Sequence, residues 1–513
     1  MRRAHTEQVP SQVTWTGAPV ALGRGGVLVA MSGLLVGLLL GALDQTIVTT
    51  ALPTIVGELG GLRDLSWVVT AYVLASTVSL PLWGKAGDVY GRKRLFEAAL
   101  IIFVGGSMLC GAAVDMTSLI VFRALQGLGT GGVFVLAMAI VGDLVSPRER
   151  GRYQGYVQGT FALASVAGPI VGGSLVDHVG WRSIFYANLP LGLIAFGVSA
   201  WTLRVPHVRR PQSIDYLGAG LLAGTISFAL LMLIWGGSMY SWTSPQILGL
   251  AVAMLVTGVL FVVQEQRCGD PVLPLTMLAD RTVALSSATL FLSTFAVFGA
   301  VVFLPQFLQT VRGSDATSAG SLMVPMMLMT AVSATIVGRA ITATGMYRVF
   351  PILGAAISTA ALVGFALIDA ETPLLIVGAL MAAFGFGFGM IGEVMILAVQ
   401  NAVSGRDIGT AMGAANLFRA LGGAVGTAVL GALFVGEVQA RLRNAAGLRS
   451  LGETLQVSPA IVRDLPPVQH DAVIAVVSSG LALVFLAAAS AAAGAFFLSL
   501  LLPERPLRED THG

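Results

Sequence analysis

Fourteen stretches of this chain stay apolar for about twenty residues or more, and that repetition leaves few folds open. The first begins at Val27 and runs to Leu43 without a charge. A helix needs about 20 apolar residues to cross the hydrocarbon layer of a bilayer. Only helices and closed barrels satisfy every backbone group in lipid. A barrel would show alternating segments of roughly ten residues, and these runs are continuous. The expected fold class is therefore all-α and polytopic, with fourteen transmembrane helices. Composition agrees, because 11% of the residues are charged whereas soluble domains carry about 25%.

Charge is distributed by loop. An even number of spans puts both termini on one side. If that side is cytoplasmic, its loops hold 20 Lys and Arg against 7 outside, with Arg123 and Arg419 inside spans. That asymmetry is the positive-inside pattern, so the net charge of +3 reports topology and not nucleic-acid binding. The first 26 residues are polar, and no small-residue cleavage site follows the first run, which reads as a retained span and not a removed signal peptide. The connection 436–471 then faces outward, and Leu442, Leu448, Leu451 and Leu455 suggest short surface helices within it. Cys110 lies in an apolar run and Cys268 in a polar loop, so neither a disulfide framework nor a metal site is expected.

An internal repeat is visible. Gly84-Lys85-Ala86-Gly87-Asp88-Val89-Tyr90-Gly91-Arg92-Lys93-Arg94 follows the second apolar run. Gly338-Arg339-Ala340-Ile341-Thr342-Ala343-Thr344-Gly345-Met346-Tyr347-Arg348 follows the tenth. Gly, basic, Ala, Gly and basic residues correspond, and the second copy lacks the acid. Two related halves are expected of transporters that rock one half against the other. Matching the tenth run to the second leaves two extra spans between the halves, an arrangement of six, two and six. The expected organisation is a cytoplasmic tail over 1–26, a six-helix bundle over 27–203, the extra pair with its loops over 204–282, a second bundle over 283–502 and a tail over 503–513.

The 84–94 stretch resembles the signature loop of the major facilitator superfamily. Leu43-Asp44-Gln45-Thr46-Ile47-Val48-Thr49-Thr50-Ala51-Leu52-Pro53 is similar to the first-span motif of its fourteen-span drug:proton antiporters. Phe122-Arg123-Ala124-Leu125-Gln126-Gly127 resembles the fourth-span motif associated with proton coupling, and Gly168-Pro169-Ile170-Val171-Gly172-Gly173 the fifth-span antiporter motif. Trp181-Arg182-Ser183-Ile184-Phe185-Tyr186-Ala187-Asn188-Leu189-Pro190 matches the same branch. The resemblance implies a monomeric, multi-pass exporter of the bacterial inner membrane. It would exchange protons for a small amphipathic or cationic substrate. Its energy would come from the proton gradient, with no cofactor. An endogenous metabolite, an antibiotic or a lipid would be exported by the same fold.

Individual residues carry this expectation. An intramembrane acid costs roughly 2.5–3.5 kcal/mol on insertion scales, so Asp44 is a candidate for proton or cation binding, beside the alternative of pinning a helix. Arg123 is a candidate partner for Asp44, or else an anchor that snorkels to the headgroups. Glu393, deep in the twelfth run, is a second candidate proton site. In the 84–94 loop, Gly84 and Gly91 permit tight backbone, and Asp88 with Arg92 would form a latch on a helix N-terminus or an arginine of the other half. Gly168, Pro169, Gly172 and Gly173 would bend the fifth span and pack it closely. Phe291, Phe295 and Phe298 recur at helical spacing, which suits an aromatic pocket and equally suits helix packing. Gly127-x-Gly129-x-x-Gly132 and Gly387-x-Gly389-x-x-Gly392 match a dinucleotide fingerprint formally, but neither follows a strand. No Walker-type loop and no convergent His, Cys or Ser set occurs, so neither ATP use nor an enzyme is expected.

Overall fold

The computed structural model describes residues 24–59, 65–145, 147–203, 215–237, 239–314, 320, 322–444 and 466–507. Among the described residues, fourteen helices are long and apolar enough to cross a membrane. The first six are Val27–Val48, Trp67–Tyr90, Arg92–Gly111, Met116–Leu144, Gly155–Val176 and Arg182–Thr202. The seventh and eighth, Tyr216–Trp235 and Pro245–Arg267, pair with each other. The last six are Arg281–Val311, Val324–Thr344, Val349–Ala366, Leu374–Ala402, Ile408–Leu442 and Gln469–Leu500. The first six pack mainly among themselves, and so do the last six. The two groups meet where the second span packs on the thirteenth and the fifth on the tenth.

Lipid is as apolar as leucine, so helices here are held by close approach of small residues and not by hydrophobic burial alone. The glycines of the fourth and twelfth spans supply that approach. A Cβ at Gly127 would collide with the Tyr72 carbonyl, at Gly129 with the backbone of Phe103, and at Gly131 with Ser76 and Ser79. In the same register, Gly385 abuts the Met326 carbonyl, Gly387 abuts Gly354 and Ser358, and Gly389 abuts Thr330 and Ser333. The two formal dinucleotide patterns therefore lie in helix-packing surfaces. The loop repeat has a backbone counterpart too, because Gly91 and Gly345 both take positive φ, 99° and 75°, which glycine alone adopts readily.

At the end carrying the 84–94 loop the two groups share one core, in which Leu136 and Ile140 join Val337, Ile341, Met395 and Met412. At the opposite end each has its own. Ile47, Ile55, Trp181 and Phe185 belong to one, and Phe303, Phe365, Phe384 and Phe485 to the other. Glu58 closes the first group on itself there, accepting a hydrogen bond from Trp181 Nε1 at 2.7 Å and pairing with Arg182. The Arg182 hydrogen bond holds the Glu58 carboxyl below the usual carboxylate range, and Trp181 adds to it.

The fifth-span helix runs uninterrupted from Pro147 to His178, through Pro169. The twelfth span is interrupted. One helix ends at Gly389 and another starts at Gly392, with tight bonds from Met390 N to Gly387 O and from Ile391 N to Phe388 O. The thirteenth helix continues to Asn444 and buries Leu442. The other leucines expected in surface helices, Leu448, Leu451 and Leu455, lie outside the described residues.

Candidate functional site

Asp44 and Arg123 meet inside the first group of helices, each almost wholly buried. Arg123 Nη1 donates to Asp44 Oδ2 at 2.6 Å and to Gln126 Oε1 at 2.8 Å. Gln126 Nε2 donates to Asp44 Oδ1 at 2.8 Å, and Asn188 Nδ2 donates to the same oxygen at 2.9 Å. Behind Asn188, Ser107 Oγ lies 2.9 Å away and donates to the Phe185 carbonyl. The Arg123 guanidinium lies 4.0 Å from the centroid of the Tyr72 ring, and its Nε donates to the Val68 carbonyl. The fourth and sixth spans thus donate to a carboxylate of the first, with the third and second spans behind the donors.

The local sequence explains the convergence. Arg123 and Gln126 are three apart on a helix and share a face. Gly127 brings that helix against the second span, so the guanidinium lies on Tyr72. Asn188 sits where the sixth span breaks between the short helix Arg182–Tyr186 and the helix Asn188–Thr202. The arrangement is a buried, charge-balanced pair with amide donors completing the carboxylate. A proton on Asp44 would cancel its charge and leave Arg123 a buried cation without its counter-charge, which is costly. Snorkelling of Arg123 to a headgroup is not what the geometry gives.

The fifth-span motif lies against this site. A Cβ at Gly168 would collide with Thr46 Oγ1, two residues from Asp44, and Thr46 Oγ1 reaches the Ala164 carbonyl at 3.3 Å. Gly173 faces open space. Any shift of the fifth span at Gly168 is therefore felt at the first span beside its acid.

The 84–94 loop forms a second polar centre. Asp88 Oδ1 accepts the Gly409 N–H at 3.0 Å, and Oδ2 accepts the Thr410 N–H at 2.7 Å and the Thr410 hydroxyl at 2.9 Å. Those groups open the thirteenth span, so Asp88 caps a helix of the second group. Arg92 donates to Asp88 at 2.7 Å, pairs with Asp143 and donates to the Gly405 carbonyl at 3.0 Å. Gly84 lies directly on the Gly409 carbonyl, where any side chain would collide. The repeat offers no mirror of this cap, since Thr342 stands where Asp88 would.

Glu393 is buried in the first turn after the break in the twelfth span. It lines a small cleft with Val337, Gly338, Ile341 and Gly389 of the tenth and twelfth spans. Among the ninth-span aromatics, the Phe298 ring lies over Gly423, while the backbones of Phe291 and Phe295 receive Gly422 and Gly426 of the thirteenth span. The structure therefore brings Asp44 and Arg123 together and joins Gly84, Asp88 and Arg92, while Glu393 lines the cleft between the tenth and twelfth spans. Sequence reasoning does not single out Asn188, Ser107, Tyr72 or Asp143. Asn188 alone carries a signal, through the Trp181–Pro190 stretch. No group of three or more metal-ligating residues occurs among the described residues.

The sequence profile of the Major Facilitator Superfamily matches residues 34–427. Multidrug transporter protein MdtP of Bacillus subtilis (strain 168) is 37% identical over 404 residues, covering 79% of this chain and 74% of that one. Multidrug resistance protein 3 of the same organism is 33% identical over 476 residues, covering 89% and 91%. The crystal structure of the human organic anion transporter MFSD10 superimposes with a TM-score of 0.63 at 15% identity, over 92% of this chain and 99% of that one. At that identity the likeness is one of fold.

Proposed function

This chain belongs to the Major Facilitator Superfamily of membrane transporters, and on that premise we propose that it is a proton-coupled exporter of small amphipathic or cationic compounds. The observation that carries the proposal is the buried Asp44–Arg123 pair with Gln126 and Asn188 around it. The names of the two Bacillus relatives support the cargo class. The positive-inside pattern supports placing the latch end in the bacterial cytoplasm. In that orientation the halves are joined inside and parted outside, an outward-facing arrangement.

The cycle follows from the chemistry of the two polar centres. A proton arriving from outside binds Asp44, and Arg123 loses its counter-charge. The cluster relaxes, and Thr46 transmits the change to Gly168 of the fifth span. Release of the Asp88 cap then lets the inner ends part, and substrate enters between the halves. Proton release to the cytoplasm restores the pair and the latch. One proton crossing supplies roughly 2.3 kcal/mol per 100 mV of membrane potential. Glu393 serves as a second acid that reads cationic cargo.

The test is a substrate screen in an efflux-deficient bacterial host, with and without a protonophore. Protonophore-sensitive extrusion of lipophilic cations is the expected result. Extrusion that persists when the proton gradient is collapsed would overturn the proposal.

A further inference from the structure

The two extra helices do not sit at random on the bundle. One apolar cluster joins Leu222, Ile226 and Leu230 of the seventh span to Leu74, Val78 and Leu82 of the second span and to Ala414 and Leu417 of the thirteenth. The pair therefore overlies the seam where the two halves meet and where the Asp88 cap is made. Its outer surface, with Leu248, Val252, Leu255 and Val259, is exposed and apolar, as a lipid-facing layer is.

Its ties to the two sides of that seam differ in kind. To the second span they are directional. Trp235 meets Trp67 edge-on at 5.5 Å at one end, and the seventh span starts beside the end of the second at the other, where Tyr216 lies near Tyr90. Glu265, 5% exposed, has one oxygen accepting the Val272 and Leu273 N–H groups, while the other has no hydrogen-bond partner among the described residues. Lys85 of the latch loop is buried as well. To the thirteenth span the contacts among the described residues are apolar, and apolar contact is non-directional. Among the described residues, the pair does not pack on the seam between the fifth and tenth spans as it does on this one. Leu163 and Ile170 on one side of it and Leu328 and Ile336 on the other are exposed.

We propose that the seventh and eighth spans are a shutter carried by the second span that slides over the thirteenth and keeps lipid out of that seam, so that an amphipathic substrate dissolved in the bilayer reaches the space between the halves through the seam between the fifth and tenth spans. This deepens the export reading and rests on it for the identity of the cargo.

The experiment uses the full-length protein with Cys268→Ser, in proteoliposomes, with ethidium as the probe cation. A fluorophore is placed at Val78→Cys, under the pair, or at Thr335→Cys, beside Gly155 in the other seam, and spin-labelled lipids act as quenchers. During turnover the Thr335→Cys label gains quenching and the Val78→Cys label does not. A Val78→Cys label quenched as strongly as Thr335→Cys overturns the shutter. Cross-linking gives an independent reading. Joining Trp67→Cys to Trp235→Cys leaves transport unchanged, and joining Leu222→Cys to Ala414→Cys stops it. The reverse pattern overturns the proposal. The quenching follows access with ethidium present and does not require proton coupling. Failure of the export reading would show separately, as ethidium movement insensitive to the gradient.

Discussion

At the residue scale, Asp44 is defined by its company. Arg123 is the group that makes a carboxylate tolerable there, and it is not replaceable by lysine. A lysine has no planar fork to reach Asp44 and Gln126 together, and no flat face for the Tyr72 ring. Arg123→Lys should therefore lose most coupled transport while the protein still reaches the membrane, measured as gradient-driven efflux against surface abundance. Arg123→Ala leaves the acid buried without its cation, which costs roughly 3–5 kcal/mol. Thermal unfolding in detergent should report that loss, and adding Asp44→Asn to Arg123→Ala should recover part of it. Asn188→Ala removes one donor to a charged group, worth about 1.5–3 kcal/mol, and should lower both stability and efflux. An Asn188→Ala variant with full activity would place that residue outside the coupling cluster. The Asp44–Arg123 partnership is open to anticipation because both residues stand out as charges in apolar runs. Ser107 and Tyr72 do not stand out, because hydroxyl groups are common in membrane helices and only the fold reveals which ones face a carboxylate.

At the scale of elements, glycine placement decides which helices touch. Alanine is the better helix former by about 1 kcal/mol, so a glycine with open space around it should tolerate the exchange. At Gly105 and Gly378 an added Cβ would meet nothing within 4 Å, and Gly→Ala at either should leave stability unchanged or slightly raised. Gly129 and Gly385 press on backbone atoms of neighbouring helices. Gly→Ala at either should cost more than the propensity gain, seen as a lower unfolding temperature. The fourteen apolar runs are legible in sequence because length and hydropathy suffice to define a span. The glycine surfaces are not, since a Gly-x-Gly-x-x-Gly pattern is the same string whether it cradles a phosphate or a helix. Pro169 shows the converse. The helix continues through it, as a bent helix also does, and a break appears at Gly389–Gly392, where no proline stands.

At the scale of the whole molecule, the two halves repeat a backbone and diverge in chemistry. The first carries the paired Asp44 and Arg123 and the Asp88 cap. The second fills the equivalent depth of its fourth helix with Met381, Phe384 and Phe388. On the proposed reading, coupling is concentrated in one half, and the latch is the element through which it would act on the other. Asp88→Asn weakens a cap made to Gly409 and Thr410. A charged hydrogen bond is worth about 1.5–3 kcal/mol, so the balance between states should shift by roughly ten- to a hundredfold toward the form open at the latch end. A reactive cysteine introduced at Gly405, beside the latch, should then label faster. Glu393→Gln should weaken export of cationic compounds more than neutral ones, and equal losses would argue against a role in reading charge. The six, two and six organisation is accessible from the loop repeat, whereas the seating of the extra pair on one seam is not, because apolar surface carries no address in sequence.

The account stands most directly on proton movement through Asp44. Purified protein in proteoliposomes with a trapped pH indicator allows that movement to be watched on addition of substrate. Substrate should drive a proton flux in the native protein, and Asp44→Asn should abolish it while substrate binding persists. An undiminished substrate-linked proton flux in Asp44→Asn would contradict the account.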